Sequence, residues 1–131
     1  MSSIDLNLSE AEVIQIRIDY QVTLIFSDSS SVVIECPFSL RGATGIEKIV
    51  DPAGKKNQLV EFLELHTSKV LRGYVSDSTL NLEFSNGSTL TCPPSLEYEA
   101  WSYFGTGKEP ERIIATPGGE LSIWNAMAKP D

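Results

Sequence analysis

From Ile14 to Phe26 every even position is apolar or aromatic: Ile14, Ile16, Ile18, Tyr20, Val22, Leu24 and Phe26. The odd positions between them include Gln15, Arg17, Asp19, Gln21 and Thr23. Side chains alternate across a strand, so this period of two predicts one long strand, or two in line, with one face on a core and one in water. Ser27-Asp28-Ser29-Ser30 interrupts it with turn formers, and Val32-Val33-Ile34-Glu35-Cys36 supplies a β-branched return strand. In a second hairpin Leu80, Leu82 and Phe84 alternate ahead of Ser85-Asn86-Gly87-Ser88, and Thr89-Leu90-Thr91 returns. Asn-Gly readily takes the positive φ values of a tight hairpin turn. Asn86-Gly87-Ser88 also fits a glycosylation acceptor, but no secretory signal accompanies it, so the turn is the preferred explanation.

The two hairpins are similar to one another. Phe26-Ser27-Asp28-Ser29-Ser30 leads to Cys36-Pro37-Phe38-Ser39-Leu40, and Phe84-Ser85-Asn86-Gly87-Ser88 leads to Cys92-Pro93-Pro94-Ser95-Leu96. The phenylalanines are 84 − 26 = 58 positions apart and the cysteines 92 − 36 = 56, a difference that one short deletion in the return strand would explain. Two repeats are too few for a solenoid, so they predict two similar halves sharing one sheet or one core. Proline lacks an N–H donor, so the Pro after each Cys should end each return strand.

Between the halves the period changes. Thr44 to Pro52 is turn-rich, and Asn57 to His66 places Leu59, Phe62, Leu63 and His66 on one helical face, with a start at Asp51-Pro52 or at Lys55 or Lys56. Val70 to Val75 reads as a strand, as does Tyr98 to Phe104. Arg112-Ile113-Ile114-Ala115 and Leu121-Ser122-Ile123-Trp124 flank Pro117-Gly118-Gly119 as a third hairpin. The predicted fold is therefore α+β and mainly β: an antiparallel sheet, open and covered on one face by a helix, from two similar hairpin halves plus a C-terminal hairpin. The helix is short and lies near residues 55–66. Residues 1–131 form a single domain with an ordered core over about 12–125 and a loose tail at 126–131.

Composition narrows the function classes. The 131 residues are 41% apolar and 21% charged, which fits a globular chain with one core. Ten Lys and Arg oppose 18 Asp and Glu, for a formal charge of −8, which disfavours a surface that neutralises phosphates or anionic lipid and favours a basic partner. The start lacks the basic and apolar regions of a secretory signal, so the chain is expected to be cytoplasmic, with Cys36 and Cys92 as reduced, partly buried thiols. His66 has no Cys, Asp or Glu at helical spacing to complete a metal site. Gly105-Thr106-Gly107-Lys108 fails the phosphate-loop pattern, since Ser102 stands where Gly is needed and Glu109 where Ser or Thr is needed. No cofactor, metal or catalytic residue is expected.

Charge is uneven. Between Gly73 and Gly107 there is no Lys or Arg, while Asp77, Glu83, Glu97 and Glu99 lie there. Strand alternation puts Glu97 and Glu99 on the side of Trp101 and Tyr103, opposite Tyr98, Ala100, Ser102 and Phe104. Acids beside aromatics are the anchor chemistry of interfaces, so Glu97, Glu99, Trp101 and Tyr103, with Asp77 and Glu120 as weaker additions, are the expected partner-binding residues. The alternative assignment is a core-facing Trp101.

At Asp19-Tyr20-Gln21-Val22-Thr23-Leu24-Ile25-Phe26-Ser27-Asp28 the chain resembles a family of small, largely actinobacterial proteins known as a domain of unknown function. The likeness continues through Cys92-Pro93-Pro94, Tyr98-Glu99-Ala100-Trp101 and Pro117-Gly118-Gly119-Glu120-Leu121-Ser122-Ile123-Trp124. Ser29 stands where members carry glycine, which leaves the type of the first hairpin turn open. The resemblance implies a bacterial fold unit and no assigned activity, and such small acidic proteins look like the immunity proteins encoded beside secreted toxins. The leading expectation is an immunity-type protein that binds a cognate basic toxin domain. The alternatives are a small-molecule or regulatory binding module, with a pocket between the halves lined by Tyr98, Trp101 and Trp124, and an enzyme pairing Cys36 or Cys92 with His66.

Overall fold

The computed structural model describes residues 3–106 and 110–124. The strands are β1 (Ser3–Asp5), β2 (Val13–Ile18), β3 (Val22–Phe26), β4 (Ser31–Ile34), β5 (Phe38–Arg41), β6 (Glu47–Val50), β7 (Val70–Ser76), β8 (Thr79–Phe84), β9 (Thr89–Cys92), β10 (Trp101–Phe104), β11 (Arg112–Ala115) and β12 (Leu121–Trp124). Between β6 and β7 a 3-10 turn, Lys56–Leu59, runs into one turn of helix, α1 (Val60–Leu63). The architecture is the mainly β, antiparallel one that the alternation predicts, with a single short helix in the expected place. The strands divide into two six-stranded sheets, sheet I in the order β1-β7-β8-β9-β5-β6 and sheet II in the order β12-β11-β10-β4-β3-β2. Both bury their apolar faces in one cluster that includes Leu24, Phe26, Ile34, Phe38, Leu82, Phe84 and Trp101.

The even-numbered run from Ile14 to Phe26 is a hairpin, not one strand or two in line. Ile18 pairs with Val22, so the reversal takes Asp19, Tyr20 and Gln21, an odd number of residues that keeps the parity of the apolar series through the turn. The Asp19 carboxylate accepts the Gln21 N–H at 2.9 Å and closes it. The turn-rich link is also more ordered than its composition suggests, because β5 and β6 pair in register from Phe38↔Val50 to Arg41↔Glu47. The buried face of the helical segment is Leu59, Phe62 and Leu65, while Leu63 and His66 are exposed. Residues 126–131, expected to form a loose tail, lie outside the described residues.

The internal repeat is larger than its two hairpins. Val22↔Ile34 and Leu24↔Val32 on β3–β4 match Leu80↔Cys92 and Leu82↔Leu90 on β8–β9, all at an offset of 58. There is thus no deletion inside the return strand: Cys92 ends β9, whereas Cys36 lies two residues beyond the end of β4. The turns agree in detail. Phe26 and Phe84 each donate to the carbonyl four residues on at 2.9 Å, and the Asp28 and Asn86 side chains each accept the N–H two residues on at 2.9 Å. Ser29 (φ 73°) occupies the left-handed position that Gly87 (φ 91°) fills in the other copy, which settles the turn type as the same in both.

Upstream the correspondence continues at an offset of 57. Val13↔Phe26 and Val70↔Phe84 are each followed by a bulge that turns Ile14 and Leu71 out to solvent. Glu10 and Thr67, both at φ 71°, begin the two copies, and their N–H groups donate to Val70 and Val13 respectively at 2.8 Å. Glu12 and Lys69, equivalent to one another, form an isolated bridge, as residues astride a local two-fold axis must.

After its third strand each half crosses to the other sheet. β5 pairs with β9 of the second half (Leu40↔Leu90), and β10 pairs with β4 of the first (Tyr103↔Val32). Each sheet is therefore three strands of one half followed by two of the other, with β1 and β12 added at the margins. The Cys-Pro dipeptides mark where these exchanges begin. The row Ile18, Val22, Ile34, Trp101 in sheet II and the row Val75, Leu80, Cys92 in sheet I lie at the same end of the molecule, here the crossover end.

Candidate functional site at the crossover end

The crossover end is built from the β2–β3 turn, the two crossovers at 35–37 and 93–100, the β7–β8 turn and the β11–β12 turn. A buried side chain organises it. The Trp101 indole N–H donates to the Ser78 carbonyl at 3.1 Å and pins the Asp77-Ser78 turn, whose residues both have positive φ. The Ser78 hydroxyl donates to Gly119 O at 2.7 Å, which holds the β11–β12 turn against it, and Gly118 N–H donates to Ser95 O at 2.9 Å. The Ser95 hydroxyl accepts the Glu97 and Tyr98 N–H groups at 3.2 Å each, shaping the loop between Cys92 and Trp101. Within this loop Leu96, Glu97, Tyr98 and Glu99 are exposed, while Ala100 is buried where the chain re-enters the sheet.

This network gathers the acids. Asp77, Glu97, Glu99 and Glu120 are all exposed, and the hydrogen bonds through Ser78 and Ser95 tie the segments of Asp77, Glu97 and Glu120 together. Asp19, Glu35 and Asp51 lie at the same end, and Lys56 reaches the Asp19 carbonyl at 3.4 Å. Glu35 and Glu99 feel one another: loss of hydration, and then the Glu99 charge, raise the Glu35 carboxyl above its ordinary value. Large apolar and aromatic side chains stand among these acids, with Tyr20 at 86% exposure, Leu96 at 84% and Tyr98 at 65%.

Two of the expected contact residues are not on this surface. Trp101 and Tyr103 are fully buried, and the Tyr103 hydroxyl donates to the Leu6 carbonyl at 2.9 Å. The alternation is real, but β10 begins only at Trp101, so Glu97 and Glu99 belong to the preceding loop and share no strand face with it. Tyr98 and Leu96 supply the exposed bulk expected of Trp101 and Tyr103. Tyr20 was hidden inside the even-numbered apolar series, and only its polar neighbours Asp19 and Gln21 hint that it sits in a turn.

The alternative sites do not assemble. His66 lies at the opposite end, where its Nε2 is 3.1 Å from Ile14 O, away from both thiols. Burial pushes the Cys92 thiol up to about 12 and raises that of Cys36, so neither is poised as a thiolate. Tyr98, Trp101 and Trp124 line no common pocket, since Trp101 is in the core and Trp124 is at the far end of β12 beneath the Arg112 guanidinium, 4.9 Å from the ring centroid. A cleft of about 300 Å3 opens elsewhere, between Leu40, Val50 and Lys48 on one side and Glu61, Glu64 and Asn86 on the other. Lys48 and Glu61 pair there at 2.7 Å, satisfying each other's charge. Among the described residues no group of three or more His, Cys, Asp or Glu side chains is placed to hold a metal ion, and no helix is long and apolar enough to cross a membrane.

The class that emerges is a duplicated, strand-exchanged antiparallel β protein with both of its crossovers at one end. The chain belongs to a family of unknown function, DUF6188, whose model matches residues 4–125. No curated protein and no solved structure matches it significantly.

Proposed function

We propose that this protein is a cytoplasmic binding domain of the immunity type, which presents its crossover end to a basic cognate toxin domain and blocks that domain's active site or substrate path. The supporting observation is the placement of Leu96 and Tyr98 as exposed anchors beside Glu97 and Glu99, on the loop that Ser95 and Gly119 tie to the segments of Asp77 and Glu120, with exposed Tyr20 at the same end. Aromatic and aliphatic side chains give an interface its buried centre, and a surrounding field of one sign speeds encounter and sets partner choice. A rigid scaffold beneath a loop cluster is also the usual way a binding surface is held.

Co-expression with the neighbouring reading frame tests this. A complex with a basic protein is expected, whose toxicity to the host cell is relieved by co-expression. Glu97→Lys with Glu99→Lys should weaken it, and added salt should weaken it further. Tyr98→Ala should shorten its lifetime without changing the salt dependence. A complex indifferent to all three changes would place the contact on another face.

A further inference from the structure

We propose that the outer face of sheet II is a self-association surface, covered in solution by the same face of a second copy about a two-fold axis that runs along the strands between β4 and β10. The first ground is a difference between equivalent positions. The outer face of sheet II carries Ile25, Val33 and Phe104, all partly exposed, where the repeat places Glu83, Thr91 and Arg41 on the outer face of sheet I. Ile114 is matched on sheet I by Ile49, but at these three positions the folding problem is the same and only sheet II is apolar, so the choice there is not a demand of the scaffold.

Charge selects the partner. Following the register, the two outer rows of sheet II are Arg17, Thr23, Val33, Ser102, Ile114, Ser122 and Gln15, Ile25, Ser31, Phe104, Arg112, Trp124. None of these is Asp or Glu, in a chain with 18 of them, whereas Asp5, Glu47 and Glu83 lie on the outer face of sheet I. Two chains each of formal charge −8 repel at most approaches, and this face brings no carboxylate of its two rows against the other copy. It also lacks the acids that a basic partner would need.

Shape makes the face complementary to itself. A two-fold axis between β4 and β10 lays each row on its own copy in reverse. Val33 then meets Ser102 of the second copy, Ile114 meets Thr23, and Phe104 meets Ser31, a large side chain over a small one each time. Thr23 and Ser102 are small residues flanked by larger neighbours on this face, at 9% and 4% exposure. Arg112, stacked over Phe104 at 5.2 Å and Trp124 at 4.9 Å, broadens the flat surface at one margin. Six strands at about 4.8 Å spacing and about 14–20 Å in length give about 400–600 Å2 in plan per copy. Two copies together reach about the 1,000 Å2 that a specific interface needs, so association should be reversible and concentration-dependent.

Sedimentation velocity across the micromolar range tests this. The average mass should rise with concentration from 14.4 kDa towards twice that value. Ile25→Glu with Val33→Thr, which copies the residues the sister sheet already tolerates, should weaken association by more than about tenfold while leaving unchanged the melting temperature measured at dilutions where both chains are monomeric. Hydroxyl-radical footprinting of the unmodified chain gives a readout independent of any variant's folding, with Phe104 and Trp124 protected as concentration rises. A wild-type chain that stays monomeric with no such protection overturns the proposal. So does a dimer abolished by Glu97→Lys with Glu99→Lys and untouched by the sheet II pair.

Discussion

The two crossovers begin and end on equivalent strands yet differ in length: three residues, Glu35 to Pro37, join β4 to β5, and eight, Pro93 to Ala100, join β9 to β10. The short one changes sheets with no residue to spare and adds only Glu35 to the acids at this end. The long one makes the same passage and has five residues to spare, and that surplus carries Leu96, Glu97, Tyr98 and Glu99. Below the loops the halves agree to the individual hydrogen bond, while at the crossovers they part. A duplicated scaffold leaves one copy of each feature free to diverge, so the place where the symmetry fails is where a specific role is expected.

Removing the anchor of the longer crossover should have the largest effect. Trp101→Ala creates a large void and releases the Ser78 carbonyl, at a cost of about 3–5 kcal/mol in chemical denaturation. A loss below about 1 kcal/mol would mean that Trp101 does not hold this end together. The paired turns give effects of opposite sign. Gly87→Ala should destabilise by about 1–2 kcal/mol, because its φ is left-handed and the new Cβ would lie 2.8 Å from that of Ala43. Ser29→Gly should stabilise by about 1 kcal/mol by relieving the same conformation in the other copy. Equal signs in the two melts would show that the turns are not equivalent.

The thiols sharpen the comparison further. Cys92, buried and raised to about 12, should be alkylated only on unfolding, while half-buried Cys36 should react slowly in the native state, as mass spectrometry of a time course would show. The smallest effect is Glu35→Gln. A folded-state pKa above the unfolded value means that the native state holds this proton more tightly, so stability falls as pH rises from about 4.5 through the raised folded pKa. The variant should raise the melting temperature slightly at pH 7 and leave it unchanged at pH 4. Glu99→Gln, which removes the smaller of the two causes and leaves the loss of hydration, should give part of the same gain at pH 7.

Local chemistry was legible in the sequence, and partner choice was not. Asn86-Gly87, the parity of Leu80, Leu82 and Phe84, and the cysteines followed by proline are signals spanning a few residues, and each marks a real turn, strand or crossover. That β4 would pair with β10 and β5 with β9 depends on contacts between distant segments, which leave no periodic trace in either. For the candidate site the acids were visible as a stretch without Lys or Arg. Their geometry was obscured because the alternation of Trp101 and Tyr103 was extended backwards past Ala100, beyond the point where the strand begins.

Exchange of the third-to-fourth strand connections also governs how the polypeptide reaches its native state. When β2 to β6 have left the ribosome, β4 and β5 still lack the neighbours they will have, since those neighbours are residues 101–104 and 89–92. Neither sheet closes until the C-terminal portion is available, and these far-separated pairings make for slow acquisition of structure. A cut in the link between β6 and β7 therefore yields two fragments that complement each other, and not two independently stable pieces.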